Sequence, residues 1–439
     1  MYLVYSFLTF VLFVAVSPYF VYQALRYGKY IGSLAQRLGF LPLTVNVDAE
    51  ESLWIHAVSV GETLTARALI SDLRSRYPHL RLFLSTTTIA GQQVARSIQH
   101  VDGVFYFPFD WSFIVRRTLD LVKPRVFVMM ETEIWPNLLR ACRQRGVKTI
   151  LVNGRISSRS YPRYRLVRPF IRRVLADIDR FCMQSEESAR RVIDLGANPS
   201  HVTVTGSLKF DSLEMPHGRS RDRVLRFFRL SPSRQVVVAG STMRGEEAAV
   251  LRAFARVKRG APGALAILAP RHPQRFDEVE RLAQESGFVT MRRSALPIDA
   301  EPRADVVILD SIGELAQVYQ LATVVFVGGS LVDQGGHNIL EPAIFGKPIL
   351  FGSSMQNFKE IADTFLSNDA GVQVQSAAEL ETALPDLLAD PVRRARLGAA
   401  ARALVEANRG AKQKTLDILA QLVPSPAARG VVRPFRLVN

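Results

Sequence analysis

Glu62 is the first residue in the chain whose setting points to chemistry. It lies in HAVSVGETLTARALI, residues 56–70, where a strand-like apolar run, LWIHAVSV, meets apolar residues at helical spacing. A carboxylate at a strand-to-helix turn has two uses. It can cap the helix, whose N-terminus carries partial positive charge. It can also act as a general base at the mouth of an α/β cleft. Further along, VMMETEIWPNLL sets Glu131 and Glu133 just beyond another strand. Carboxylates one residue apart can hold a metal, but no His or Asp cluster accompanies them, so polar contacts are the expectation. In VTGSLKFD, Lys209 can neutralise an anion.

The stretch VVFVGGSLVDQGGHNILEPAIFGKPILFG, residues 324–352, predicts a strand ending in Gly328-Gly329-Ser330. A loop with Gly335-Gly336 then opens a helix near residues 337–341. Paired glycines let backbone N–H groups approach an anion, and a helix N-terminus adds partial positive charge. This reads as a phosphate cradle without a Walker lysine or a GxGxxG fingerprint. Glu341, about one turn into the helix, can accept from a ribose diol, and Asn338 can cap it. The plainer alternative is a Gly-rich turn with a capped helix. LAPRHPQRF, residues 268–276, places Arg271 at a strand's carboxyl end, where a guanidinium can pair with phosphate. In DSIGELAQVYQLA, residues 310–322, backbone groups of Ile312 and Gly313 can read a base edge. Residues 153–175 carry Arg155, Arg159, Arg163, Arg165, Arg168, Arg172 and Arg173, interleaved with Tyr161, Tyr164 and Phe170. Such a run can bind nucleic acid by charge and stacking, or lipid phosphates. A solvated basic face is the third option.

Strand-like and helix-like segments alternate from about residue 52 to 210 and resume near 234, the pattern of parallel sheets wrapped by helices. The chain reads as two doubly wound α/β domains in tandem, which suits 439 residues. The expected division is an N-terminal domain over 51–215, a linker over 216–233, a C-terminal domain over 234–424 and a basic tail over 425–439. In open parallel sheets ligands bind beyond the carboxyl ends of the strands, where Glu62 stands. A cleft between two such domains suits a reaction with two substrates. Residues 1–25 contain no charged side chain, and Arg26, Lys29 and Arg37 follow. The run is long enough to cross a bilayer, and the basic residues after it place the body in the cytoplasm. We read 1–25 as a membrane anchor and 26–50 as a basic juxtamembrane segment; Pro18 leaves a monotopic hairpin or buried helix as alternatives. A net charge of +16 favours an anionic partner, and the apolar N-terminus turns the arginine run towards lipid. Cys142 and Cys182 make no disulfide framework and fit a reducing compartment.

Taken together, WIHAVSVGET, METEIWPN, NGRIS, GSLKFD, APRHPQR and GGSLVDQGGHNILEPA resemble the 3-deoxy-D-manno-octulosonic acid (Kdo) transferases of lipopolysaccharide synthesis. The resemblance covers nearly the whole chain. It implies an α/β GT-B glycosyltransferase fold, two Rossmann-like domains facing a cleft, with an N-terminal membrane anchor helix in the inner membrane. It implies CMP-Kdo as donor, a phosphorylated lipid A precursor (lipid IVA) as acceptor, and inversion at the anomeric centre. Glu62 then matches the general base, and Glu131 and Lys209 match residues assisting the transition state. Arg271, His272, Ile312, Gly313, Glu314, Asn338, Ile339, Leu340 and Glu341 match the CMP site. Arg155, Arg163, Arg165 and Arg168 would face the acceptor and anionic inner-membrane lipids, with no nucleic acid partner. The helix end is expected to keep Glu62 ionised. A monophosphate leaving group needs no Mg²⁺ clamp, so no metal or cofactor is expected. The rival readings are a GT-B transferase or epimerase using a UDP-sugar, and a membrane-anchored nucleic-acid-binding protein. The second leaves Glu62 and the glycine pairs unexplained.

Overall fold

The computed structural model describes residues 1–27, 31–158, 160–211, 224 and 226–423. They form two units: one holds the described residues up to Asp211 together with those from Arg409 on, the other those from Val224 to Asn408. In the first unit the strands are β1 Ser52–His56, β2 Arg81–Thr86, β3 Gly103–Tyr106, β4 Pro124–Met130, β5 Lys148–Gly154, β6 Arg180–Met183 and β7 Val202–Val204. They pair in parallel in the order β3-β2-β1-β4-β5-β6-β7. The strands read as apolar runs because helices cover both faces of a parallel sheet. Alternate side chains feed opposite cores. Trp54, Phe83 and Phe127 pack on one side, while Leu53, Ile55, Leu82 and Val126 pack on the other.

The second unit repeats the plan with β8 Val236–Thr242, β9 Leu265–Pro270, β10 Thr290–Arg292, β11 Val306–Ile308, β12 Val324–Val327, β13 Ile349–Gly352 and β14 Val372–Val374. Their order is β10-β11-β9-β8-β12-β13-β14. In both sheets the order reverses beside the first strand, between β1 and β4 and between β8 and β12. A crevice beyond the carboxyl ends at that reversal is where doubly wound sheets bind ligands. The connection after β1 leads into the helix whose first turn holds Glu62, and Glu131 directly follows β4. The loop after β8, residues 243–245, leads to Glu246, and the one after β12 carries the Gly328-Gly329-Ser330 turn.

Helix Ala411–Leu422 departs from the expected boundary at 424. Ala411, Leu416, Leu419 and Leu422 join Leu53 and Ile55 in a core of the first unit. The Asp211 carboxylate fixes the helix start by accepting from the N–H groups of Gly410 (2.9 Å) and Lys412 (2.8 Å). Half of the expected linker (216–223 and 225) and the whole basic tail lie outside the described residues, as do Lys29 and Arg159.

Helix Tyr2–Tyr27 matches the expected anchor, and its segment Tyr2–Tyr22 is long and apolar enough to cross a membrane. Pro18 sits inside it without ending it. A proline removes one intrahelical N–H donor. The carbonyl of Val14, four residues earlier, accepts instead from the Ser17 hydroxyl at 2.8 Å.

Candidate active site

Glu62 opens helix Val60–Arg76, with Ser59 as N-cap. The pair caps the helix in the manner of a capping box, with Glu62 reaching the N–H one residue before the cap. Ser59 Oγ accepts from the Glu62 N–H at 3.4 Å and donates to Glu62 Oε1 at 3.0 Å. Glu62 Oε2 accepts from the Val58 N–H at 2.8 Å. The carboxylate is therefore a cap, and the cap aims it at its neighbours. Glu131 directly follows β4 with a backbone φ of +55°, uncommon for a residue with a Cβ. Its N–H donates to the Val152 carbonyl at 2.8 Å, and its carboxylate lies 3.8 Å from Lys209 Nζ. Asn153, also left-handed at φ +56°, accepts from the Leu208 N–H at 2.9 Å through Oδ1. That bond holds the backbone next to Lys209.

The electrostatics overturn one expectation. The helix end does not keep Glu62 well ionised. Burial and then the charge of Glu131 push its carboxyl up to about 7, against the Val58 N–H, the Ser59 hydroxyl and Lys209. Glu133 goes further, up to about 8, through burial and then Glu62. Both effects disfavour the anion. The structure thus gathers Glu62, Glu131 and Lys209, and adds Glu133 as a further carboxyl in the same cluster.

In the second unit the glycine pairs do not form an open cradle. The carboxylate of Glu246, buried at the start of helix Glu246–Gly260, occupies the Gly-Gly-Ser turn. Its Oε2 accepts from the N–H groups of Gly329 (2.7 Å) and Met243 (2.8 Å). Its Oε1 accepts from Ser330 (3.0 Å) and Leu331 (2.9 Å). Gly335 N–H donates to Ser354 Oγ and Gly336 N–H to the Gly329 carbonyl. The anion that the turn was expected to hold is the protein's own. Glycine is required at 328, because a Cβ there would stand 2.6 Å from the Ser241 carbonyl oxygen.

The helix after this loop is the short Leu340–Ala343, so Glu341 stands in its first turn and not a turn inside. Asn338 Nδ2 donates to Glu341 Oε1 at 3.3 Å. Burial holds the Glu341 carboxyl above its ordinary range, against Asn338 and Arg271. His337 is pushed down to about 4 by burial and by Arg271 and His272. Arg271, His272, Asn338 and Glu341 therefore share one corner, with Arg271 and His272 exposed beyond β9. Ile339 and Leu340 have fully buried side chains, which leaves only their backbone to meet a ligand. Ile312 and Gly313 form an exposed turn, Gly313 at φ +86°. Glu314 braces it by accepting from Arg293 (2.9 Å) and Ser311 (2.6 Å). Burial, then the charge of Glu341, holds the Tyr319 hydroxyl well above its ordinary range.

Of the arginine run, Arg155 directly follows β5, and its carbonyl accepts from the Thr132 hydroxyl beside Glu131. Arg163 and Arg165 lie on helix Tyr161–Leu166 and Arg168 opens Arg168–Leu175. Arg165 and Arg168 reach Asp194 at 3.7 and 3.9 Å. Sequence reasoning missed Glu246, Asn153 and Arg293. Only Glu246 left a signal, an acid opening a helix beyond a strand, as Glu62 does.

The comparisons agree with these motifs. A family model described as 3-Deoxy-D-manno-octulosonic-acid transferase (kdotransferase) matches residues 32–212. A 3-deoxy-D-manno-octulosonic acid transferase of Haemophilus influenzae is 34% identical over 399 residues, 89% of this chain and 91% of that protein. One from Bordetella pertussis is 37% identical over 377 residues, 84% of this chain and 86% of that protein. The crystal structure of UDP-GlcNAc 2-epimerase from Neisseria meningitidis, bound to UDP-GlcNAc, matches with a TM-score of 0.56 at 12% identity, over 84% of this chain and 100% of that one. That likeness is one of fold, the GT-B type. With the relatives matched over most of their length, the chain belongs to the 3-deoxy-D-manno-octulosonic acid transferase family.

Proposed function

We propose that the chain moves Kdo from CMP-Kdo to a hydroxyl of a phosphorylated lipid A precursor, with inversion at the anomeric carbon. The acceptor oxygen forms the new bond, the bond from the anomeric carbon to phosphate breaks, and CMP leaves with the electron pair. The acceptor proton goes to Glu62. The observation that carries this reading is the Glu62 carboxyl held near 7 beside the Glu131–Lys209 pair. A base works best when its pKa lies close to the working pH. Glu131 and Lys209 assist the transition state by opposing the charges that develop there.

The second unit binds CMP. Arg271 and His272 meet the phosphate, Ile312 and Gly313 read the base through their backbone, and Glu341 with Asn338 takes the ribose. Glu314 sets the turn. Ile339 and Leu340 contribute backbone alone, since their side chains are buried. Helix Tyr2–Tyr27 holds the chain at the inner membrane with both units on the cytoplasmic face, a reading supported by Arg26 and Arg37 after the apolar run. Arg155, Arg163, Arg165 and Arg168 face acceptor phosphates and anionic lipid.

The test is product analysis. The chain is incubated with CMP-Kdo and lipid IVA, and the lipid is examined by mass spectrometry, with free CMP or UDP added as competitor. Addition of Kdo, suppressed by CMP and not by UDP, is the expected result. An unchanged lipid, or suppression by UDP alone, would overturn the donor assignment.

A further inference from the structure

The N-terminal helix does not stand clear of the first unit. Among its described side chains, Tyr2, Tyr5, Ser6, Thr9, Phe13 and Ser17 are partly covered, a single stripe at helical spacing. Polar bonds lock the first half of that stripe down. Tyr2 Oη donates to Asp177 at 3.1 Å, Asn137 Nδ2 donates to Ser6 Oγ at 2.9 Å, and Trp111 Nε1 donates to Thr9 Oγ1 at 3.2 Å. Tyr5 donates to the buried carboxyl of Asp110. Rings complete the seam: Tyr2 and Tyr5 on Phe170, and Phe13 on Phe109 and Trp111.

A membrane-crossing helix is incompatible with this seam. Residues 2 to 13 cover about 17 Å at 1.5 Å per residue, and all of that length is bonded to an α/β domain. From residue 14 to the helix end at Tyr27 only roughly 21 Å remain, short of the ~30 Å hydrocarbon core. The other side of the helix is bare and apolar: Leu3, Val4, Phe7, Leu8, Val11 and Leu12 are 47–86% exposed. Two more apolar points stand on neighbouring helices of the same unit, Phe113 and the Leu166–Val167 pair. Arg163, Arg165 and Arg168 flank the second of these, and Phe170, on the helix that Arg168 opens, touches Tyr2 and Tyr5. An apolar face rimmed by cations fits the headgroup and upper acyl region of an anionic leaflet.

We infer that helix Tyr2–Tyr27 lies along the bilayer surface, sunk in one leaflet by its outer face and bolted to the first unit by its inner face, so that both of its ends remain on the side where the domains are. This rests on the reading that the chain is membrane-bound. It also has a use: it holds the basic face at headgroup depth with a fixed tilt, which a single spanning tether would not.

The test labels the helix start. The full chain receives a short N-terminal extension carrying one cysteine; Cys142 and Cys182 are buried and stay unlabelled. A membrane-impermeant maleimide is applied to right-side-out spheroplasts and to inverted inner-membrane vesicles. A second variant, Ser6→Cys with Asn137→Cys, reports whether the seam persists in the membrane through a thiol cross-link. Labelling in inverted vesicles alone, with the cross-link formed there, is the expected result. Labelling in spheroplasts overturns the inference even where the double variant does not fold, while membrane binding itself stands. Recovery of the chain in the soluble fraction, with no flotation on anionic liposomes, sinks the membrane-bound reading instead.

Discussion

Replacing Glu131 by glutamine should move the acidic limb of the transfer reaction to lower pH. Glu62 titrates near 7 where an ordinary glutamate titrates at 4.5. That is a preference for the neutral form of roughly 3 kcal/mol. Burial is the largest cause and Glu131 the next, while Lys209 works in the opposite direction. Removing one like charge at close range is worth on the order of 1 kcal/mol, about one pH unit. Glu131→Gln also releases Lys209 from its 3.8 Å ion pair, which lowers Glu62 further. The limb should therefore fall from about 7 to about 6 or below. At pH ~6 the wild-type base is about one-tenth ionised and the variant's about half, so the variant keeps roughly five times more of its own plateau rate. The assay is kcat/KM for acceptor-dependent CMP release from about pH 5.5 to 8.5, each profile scaled to its plateau because Glu131 is also proposed to assist the transition state. Lys209→Met should shift the limb upward. An unmoved limb in Glu131→Gln, or shifts of the same sign in both variants, would refute the electrostatic account of Glu62.

The remaining predictions concern stability and binding. A carboxyl raised by folding holds a proton that the unfolded chain has released, so its contribution is intact below about 4.5 and is lost as pH rises through about 7. Glu62→Gln should therefore match wild type in thermal unfolding near pH 4.5, and at pH ~8 be more stable by about 1–3 kcal/mol, after allowance for its partial exposure. Glu246→Ala leaves four backbone N–H groups without their acceptor. It should destabilise the second unit by on the order of 3–5 kcal/mol and abolish CMP binding by calorimetry; an unchanged melt would mean another group fills the turn. Arg163, Arg165 and Arg168 changed together to serine should weaken binding to anionic liposomes roughly 30-fold, from about 1 kcal/mol per basic residue less what Asp194 already neutralises. Flotation that does not change would make the patch a solvated face.

The central strands of the first unit were legible in the sequence because they are apolar runs ending at a recognisable turn. Leu53–Ile55 and Val126–Met130 are buried on both faces, and such runs announce themselves. Strand Val372–Val374 did not, being three residues long with Gln373 at its centre. Glu62 could be found because it stands at a strand-to-helix turn, and the cap that fixes it also holds it near Glu131. Its pKa was not legible, since burial and a like charge from β4 are tertiary facts. The same blindness produced the phosphate cradle. Gly328-Gly329-Ser330 correctly signalled backbone N–H groups round an anion, but the partner lies 82 to 84 positions away in sequence terms, as Glu246. Helix Ala411–Leu422 shows an apolar face in any reading; which core receives it is decided by Asp211, some two hundred residues earlier.

The most direct test of the account is CMP release from CMP-Kdo, measured with and without a tetraacylated lipid A precursor, for wild type and Glu62→Ala. Folding of the variant is checked by thermal melt. Wild type should release CMP when the acceptor is present, and the folded variant should lose that acceptor-dependent release. Equal release by the variant would contradict the account and leave Glu62 as a helix cap alone.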